Sequence, residues 1–426
     1  MTIRLGRSLL GSAGLRVANA GLGFAVAVVL ARTLGADGYG LYSTAFVVAS
    51  VCAMVVKFGL PNLVMRETAT AAVSEDWAHM RAVWGWAGRG AALFSLAVLT
   101  VGAVTLFFLR DRLDPGHTLT YGLALALIPL LAFGALRAGA LRGLQHVVLA
   151  QVPEMIVKPG VMLALALLLG LAVPATASTA MAMQLAAVAA AFVLGAVFLW
   201  RRRPEELRLS AEYRLPSNIA LWKPALTMGL ATGMNQLNNY TDILLLSLFH
   251  PGADVGVYRV AYQIAILSLF GQQTVAMVFA PEFARFKQSG NIADLQHRAR
   301  LMARLSVVPP LVVLAIYLAF GAQVQSVVFG KDYISAVPAV LILTTGQLIA
   351  AVYAASGYLL TMTGHERDYL RLKTVGAVIN LTVGLLLVPG FGIFGAAIST
   401  LLAMIFVNVA AGHVCKKIAR TRVTPW

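Results

Sequence analysis

Apolar stretches of about 20 residues recur along this 426-residue chain and constrain its fold more than any other feature. Hydrophobic residues make up 59% of the sequence and charged residues only 12%, a balance that no water-soluble domain can bury. We place about twelve stretches, near residues 9–31, 41–63, 83–108, 119–136, 147–170, 174–200, 219–248, 255–280, 302–321, 335–360, 372–389 and 392–414. The sequence therefore predicts an all-α, polytopic membrane protein with about twelve transmembrane helices.

The first apolar stretch has some features of a secretory signal peptide. Arg4 and Arg7 precede it, and Ala18–Ala20 is similar to a cleavage site. The apolar run continues to Leu30, which is long enough to span a bilayer, so we expect an uncleaved first helix.

The positions of lysine and arginine predict the orientation of the chain. Basic residues, Arg137 among them, collect on alternate loops, and cytoplasmic loops retain such residues. The opposite loops hold only Arg32, Arg110, Arg112 and Lys331. Both termini are therefore predicted to lie in the cytoplasm, in a bacterial inner membrane. This topology, with attraction to anionic lipid headgroups, accounts for the net charge of +16, and no nucleic-acid partner is expected.

A polar linker and an internal repeat predict two halves. Residues 201–218 form the most polar stretch, and Gly35–Tyr42 is similar to Gly252–Tyr258 once one residue is deleted. We predict an N-terminal six-helix half at 1–200, a cytoplasmic linker at 201–218 and a C-terminal six-helix half at 219–426. Because six spans is an even number, a pseudo-two-fold axis along the membrane normal is expected to relate the two bundles, with a cavity between them.

Several short motifs resemble those of a known family. They are Leu30–Gly40, Phe58–Pro61, Arg66–Ala69, Ala280–Phe283 and Val388–Ile398. Their order and spacing resemble bacterial polysaccharide flippases of the O-antigen type, which belong to the multidrug/oligosaccharidyl-lipid/polysaccharide exporter superfamily. The third to sixth spans hold no motif that matches this family.

The resemblance implies a flippase, not an enzyme. Such a protein moves an undecaprenyl-pyrophosphate-linked oligosaccharide from the inner to the outer leaflet by alternating access. The implied partners are this lipid-linked cargo, membrane lipids, a coupling H+ or Na+, and the polysaccharide polymerase and ligase machinery of a lipopolysaccharide pathway. Two alternatives stay open: a multidrug or small-cation exporter of the same superfamily, and a membrane-bound polysaccharide polymerase or ligase.

Cations inside the cytoplasmic halves of the spans suit an anionic cargo, because buried charge is costly and marks pathways. These cations are Arg16, Lys57, Arg89 and Lys158. Asn19 shares a helical face with Arg16 and is a further cavity candidate. Lys158 has the alternative of an ion pair with Glu154, four residues earlier, and the other cations have the alternative of reaching the headgroups.

Polar residues in the seventh span recur at helical spacing and predict a cavity face. They are Asn235, Asn238, Asn239 and Asp242. Interhelical hydrogen bonding is the alternative. Asp242 has three open interpretations, namely a neutral acid, a partner of Arg259, or a site for a coupling proton or sodium ion, and Glu154 is a second coupling candidate. Candidates for sugar contact are Gln272, Gln273, Gln347 and Tyr353.

Other classes of site lack a sequence signal. The seven histidines are scattered, the two cysteines are far apart, and no pair has metal-ligand spacing, so neither a metal nor a cofactor is predicted. Phosphate-binding glycine-rich loops are also missing, which excludes direct ATP drive. The energy is therefore expected to come from a gradient or from the concentration of cargo.

Overall fold

The computed structural model describes residues 2–170, 174–209, 218–289 and 292–418, and it shows helices without any strand in these ranges. Nine helical segments in this described part are long and apolar enough to cross a membrane. The predicted all-α, polytopic membrane fold is therefore confirmed.

The N-terminal part of the chain contains eight α-helices and one π-helical segment. They are α1 (Thr2–Val56), α2 (Leu60–Ser74), α3 (Trp77–Leu109), α4 (Pro115–Gly143), α5 (Val147–Val152), the π-helix Pro153–Val157, α6 (Lys158–Leu169), α7 (Ala177–Arg202) and α8 (Glu206–Leu209).

The C-terminal part continues with six α-helices and one 3₁₀ segment. They are α9 (Asn218–Phe249), α10 (Gly252–Ser289), α11 (Ile292–Val328), the 3₁₀-helix Lys331–Ala336, α12 (Val337–Val352), α13 (Ala354–Met362) and α14 (Glu366–Ile418).

Three of the long helices contain a residue with non-helical backbone, namely Gly35 in α1, Phe320 in α11 and Gly392 in α14. In α1 the backbone leaves helical geometry at Gly35, with φ 68° and ψ 178°, and in α14 it does so at Gly392, with φ 50° and ψ −124°. A positive φ costs glycine little because it has no Cβ. The breaks in α1 and α14 divide two of the nine candidate spans into shorter helical segments, and the 32-residue α9 covers the predicted seventh span.

The chain divides into two compact units. One consists of Met1–Leu34 and Leu41–Gln236, and the other of Gly35–Gly40 and Leu237–Trp426. Residues 210–217 of the predicted linker lie outside the described residues. The division at 201–218 therefore stays a prediction.

In the first unit, α4 packs against α2, α3 and α7. Its buried face includes Leu127, Ile128 and Ala132, which are fully removed from the surface. Close packing of small and apolar residues holds neighbouring spans together when no water is present. The same helix continues to Arg137, which is a buried charge at the contact between α4 and α7.

In the second unit, the two copies of the repeated glycine motif pack against each other. A Cβ on Gly40 would overlap the carbonyl of Gly252, and a Cβ on Gly256 would overlap the carbonyl of Ala36. Gly40 and Gly256 occupy equivalent places in the two copies, because each stands two residues before the tyrosine that ends its copy of the motif. The repeat therefore forms a reciprocal backbone contact.

Candidate functional site

Arg137 on α4 is buried, with 5% of its surface exposed. Its Nη1 donates hydrogen bonds to the backbone carbonyls of Ala191, at 3.0 Å, and Phe192, at 2.8 Å, both on α7. Gly195 leaves the space for this contact, because a Cβ there would overlap the guanidinium. The loop-charge pattern had placed Arg137 among the cytoplasmic loop cations, whereas its side chain lies inside the helix packing.

Glu154 lies between two cations. Its Oε1 is 3.7 Å from Nη2 of Arg137, and its Oε2 is 3.4 Å from Nζ of Lys158. Lys57, in the turn after α1, is close enough for electrostatic interaction with both Glu154 and Lys158. We call Lys57, Arg137, Glu154 and Lys158 the basic cluster. Two cations pair with the one carboxylate and Lys57 lies near both partners, so the basic cluster is an excess of positive charge in the first unit.

The π-helix Pro153–Val157 places Glu154 in the basic cluster. Its hydrogen bond runs from the backbone N–H of Lys158 to the carbonyl of Pro153, five residues earlier. Single π turns inside α-helices occur frequently at functional sites. The ion pair between Lys158 and Glu154, which the sequence left as an alternative, is present, and Arg137 shares the same carboxylate.

The other cations predicted in the first half differ in burial. Arg16 is half-buried, and its Nε is buried without a hydrogen-bond partner in the described part of the chain. Asn19, one turn further along, is also half-buried. Arg89 is exposed, and its Nε donates to the carbonyl of Gly85 at 3.2 Å on its own helix. Their roles in a cavity stay predictions.

Asp242 on α9 is the centre of a polar network in the second unit, with 3% of its surface exposed. Tyr258 and Thr400 donate hydroxyl hydrogen bonds to its Oδ2, at 2.7 and 2.6 Å. Asn380 donates to its Oδ1 at 3.0 Å and is 3.3 Å from Oδ1 of Asn238. We call these five residues the Asp242 network. Both oxygens of a buried carboxylate are thus hydrogen-bonded, as burial requires.

Only part of the predicted polar stripe on α9 lies in the Asp242 network. Asn238 and Asp242 share the network, Asn239 is exposed, and the side chain of Asn235 lies outside the described residues. The guanidinium of Arg259, the proposed alternative partner of Asp242, lies 5.9 Å from the ring centre of Tyr262.

Gln272 on α10 is buried, and its Nε2 donates to the backbone carbonyl of Gln347 on α12 at 3.0 Å. This bond ties two spans together within the second unit. It is the kind of interhelical hydrogen bond that stabilises helix packing in membranes. Sugar contact by Gln272 stays a prediction.

Several members of these groups were not singled out from the sequence. Arg137, Tyr258, Asn380 and Thr400 carry much of the hydrogen bonding described above. Tyr258 stood in the repeated motif, and Asn380 is a single amide within an apolar run, which is a usable signal because polar groups in spans are seldom without a function or a partner.

Comparison with known proteins identifies the family. Residues 5–287 match the family described as "Polysaccharide biosynthesis protein". The chain belongs to this family. This match confirms the predicted resemblance at the level of the family, and the bacterial O-antigen type stays a prediction.

Two curated relatives of this family member come from archaea. One relative is the "Probable low-salt glycan biosynthesis flippase Agl15" of Haloferax volcanii, to which this chain is 24% identical over 179 residues, or 41% of its length. This chain is 31% identical over 165 residues, or 38% of its length, to an uncharacterized membrane protein of Methanocaldococcus jannaschii. The matched regions cover 37% and 32% of these relatives, so the chain spans about a third of the length of each.

Solved structures share the fold of this polysaccharide biosynthesis family member. An inward-facing multidrug resistance MATE transporter of the MOP superfamily aligns with a TM-score of 0.73 and 16% identity, covering 94% of this chain and 96% of the transporter. The lipid II flippase MurJ, in an inward closed conformation, aligns with a TM-score of 0.73 and 11% identity, covering 94% and 87%. Both alignments extend over nearly the whole chain and support a transporter-type helical fold.

Proposed function

We propose that this protein is a flippase that moves an undecaprenyl-pyrophosphate-linked oligosaccharide from the inner to the outer leaflet of a bacterial inner membrane. In this proposal both termini are cytoplasmic, and a linker at 201–218 joins six-helix halves that alternate access. The translocated unit then passes to the polymerase and ligase machinery of an O-antigen or related lipopolysaccharide pathway.

The basic cluster is the observation that carries the proposal. A pyrophosphate bears several negative charges, and Arg137, Lys158 and Lys57 provide three cations for one carboxylate. Two opposite charges about 4 Å apart gain roughly 4 kcal/mol at an effective dielectric constant of 20. A cation exporter would instead need an excess of carboxylates. The family match and the glycan flippase relative support the same cargo class.

A second feature suits the lipid part of such a cargo. A cavity of about 630 Å³ lies in the first unit, lined almost entirely by apolar residues of α1, α3 and α4. Val48, Val101 and Leu125 are among them. An isoprenoid chain requires an apolar surface of this kind.

The Asp242 network is our proposed site for the coupling ion. Its carboxylate, two hydroxyls and two amides supply oxygen atoms, which are the ligands that hard cations prefer. A proton on the carboxylate is the alternative. Glu154 is a second coupling candidate, and its two ion pairs make it less available than Asp242.

Single substitutions of Arg16, Arg89 and Lys158 by alanine test the proposal in cells that lack the native gene. Lys158→Ala leaves Glu154 paired with Arg137, so the fold retains one ion pair. We expect loss of surface glycan and accumulation of lipid-linked oligosaccharide on the cytoplasmic side. Lys331→Ala is the matched control, because it removes an exposed lysine from the predicted outer side.

The side of the membrane on which glycan accumulates distinguishes a flippase from a polymerase or a drug exporter. A defective polymerase leaves single repeat units on the cell surface, and a drug exporter leaves glycan unchanged but alters drug sensitivity. Normal surface glycan from all three variants, at wild-type expression, would rule out a role for these cations in export.

A further inference from the structure

A second cavity, of about 360 Å³, lies in the first unit between α2, α3, α4 and α7. Its volume falls within the range of small-molecule sites. Most of its wall is apolar or aromatic, and two arginines reach it. The residues used in the argument are Trp84, Gly88, Arg137, Phe192, Trp200 and Arg203. This cavity is distinct from the larger apolar cavity, with which it shares no lining residue.

Both arginines have donor atoms without a hydrogen-bond acceptor. Nε and Nη2 of Arg137, and Nε of Arg203, are buried and have no such partner among the described residues. Arg137 is almost fully removed from the surface, since only 5% is exposed. Buried guanidinium donors are costly to leave unsatisfied, so these atoms point to an acceptor that binds there.

The cavity also has an excess of positive charge. None of the described residues that line it is acidic. Glu154 approaches Nη2 of Arg137 at 3.7 Å, but it also pairs with Lys158. Arg203 lies 5.9 Å from the ring centre of Trp200, and Arg137 lies 5.9 Å from that of Phe192. A planar guanidinium held over a ring still presents its edge to a phosphate.

The tryptophans indicate the depth of this cavity in a bilayer. Trp84 and Trp200 line it, and Trp200 is 57% exposed at the last turn of α7, beside Arg201 and Arg202. Tryptophan and arginine concentrate where the hydrocarbon meets the headgroups. Lipid phosphates lie at that depth, and basic pockets between spans bind them.

We propose that this cavity binds the phosphate of an anionic glycerophospholipid from the surrounding bilayer. The edges of Arg137 and Arg203 hold the phosphate, while the aromatic and aliphatic wall holds the first part of the acyl chains. The site shares Arg137 with the basic cluster of the proposed transport function but takes a different ligand, and it predicts that the protein recognises the charge of its lipid environment.

Binding is tested with delipidated full-length protein in detergent, using native mass spectrometry and thermal unfolding with added phosphatidylglycerol. Arg203→Gln removes one phosphate ligand. Gly88→Leu fills the cavity, because a Cβ on Gly88 meets no atom within 4 Å and the larger side chain has room. Arg202→Gln is the matched control, since it removes an exposed arginine one residue away that does not line the cavity.

We expect phosphatidylglycerol to bind the wild type and Arg202→Gln alike. It should bind Arg203→Gln about tenfold more weakly, as loss of a charge-assisted hydrogen bond predicts, and Gly88→Leu more weakly because the leucine side chain occupies the cavity. Phosphatidylcholine should bind the wild type more weakly than phosphatidylglycerol. Equal binding of the two lipids, or equal binding by the control and both cavity variants, overturns the proposal.

Two further probes distinguish the sources of phosphate. If inorganic phosphate binds and stabilises the protein as strongly as phosphatidylglycerol does, no lipid chain is recognised. Farnesyl pyrophosphate that displaces phosphatidylglycerol at equal concentration would assign the cavity to an isoprenoid cargo. Either result overturns the assignment to a bilayer phospholipid, and failure of both to compete supports it, whatever the outcome of the glycan export experiment.

Discussion

Gly195→Ala should disturb the basic cluster without changing any charge. The new Cβ would overlap the guanidinium of Arg137, which must then leave the carbonyls of Ala191 and Phe192. Its 3.7 Å approach to Glu154 would be lost as well. This substitution preserves every charge, so it tests whether the guanidinium of Arg137 lies against α7 beside Gly195.

The magnitude follows from two opposing effects. Replacing glycine by alanine inside a helix stabilises it by about 1 kcal/mol. Losing two hydrogen bonds from a charged donor costs about 1.5–3 kcal/mol each by general estimates, and about 0.6 kcal/mol each by the membrane-protein average. The loss, about 1.2–6 kcal/mol for the two bonds, exceeds the gain throughout this range, so we expect a net destabilisation of roughly 0.2–5 kcal/mol.

The assay is unfolding in detergent, combined with a double-mutant cycle. Gly160→Ala is the matched control, because a Cβ there meets nothing within 4 Å. It keeps the stabilisation that alanine gives a helix but displaces no side chain. In an Arg137→Ala background, Gly195→Ala should become neutral or stabilising, since no guanidinium is left to displace. Additivity of the two substitutions to within about 0.5 kcal/mol would refute the reasoning.

Three further predictions follow from other contacts. Asp242→Ala should destabilise the protein by about 2–4 kcal/mol in detergent unfolding because three donors lose their acceptor, while Asp242→Asn should cost less because the hydroxyls of Tyr258 and Thr400 can turn to accept. Glu154→Gln should lower the free energy of unfolding by about 1–2 kcal/mol at low salt and by less at high salt, because the side chain of Glu154 is 35% exposed and its ion pairs are screened. Equal losses at both salt concentrations would contradict an ionic origin. Burial opposes ionisation of Glu67, but hydrogen bonds with His79 and Arg66 outweigh it and hold the pKa of this carboxyl below its ordinary value of 4.5. This contribution to stability should be complete above about pH 4.5 and lost as the pH falls through the lowered pKa, and Glu67→Gln should remove that part of the pH dependence of unfolding.

The spans were predictable because membrane insertion imposes a strong rule on sequence. A helix must cover about 30 Å of hydrocarbon with apolar residues, whatever its neighbours are. The breaks at Gly35 and Gly392 also lie where predicted spans meet, at residues 31–41 and 389–392. What composition did not indicate is that helix continues directly on both sides of each break.

The candidate site was less predictable because its partners are distant in sequence. The ion pair of Glu154 with Lys158 follows from helical spacing and was foreseen as an alternative. The bond from Arg137 to Ala191 spans 54 residues, and that from Asn380 to Asp242 spans 138. No local pattern specifies which cation near a helix end turns inward and which one faces the headgroups.

The reciprocal packing of Gly40 and Gly256 resembles the isologous contact of a symmetric dimer, in which one surface meets a copy of itself. Here both copies belong to one chain, so they are free to diverge in sequence while the contact holds them to a common geometry. Enlarging either glycine would push on the backbone of the other copy, and no compensating change at the first site could relieve it. The overlap is with backbone that every residue carries, so we expect both glycines to be retained while the other residues of the two turns diverge.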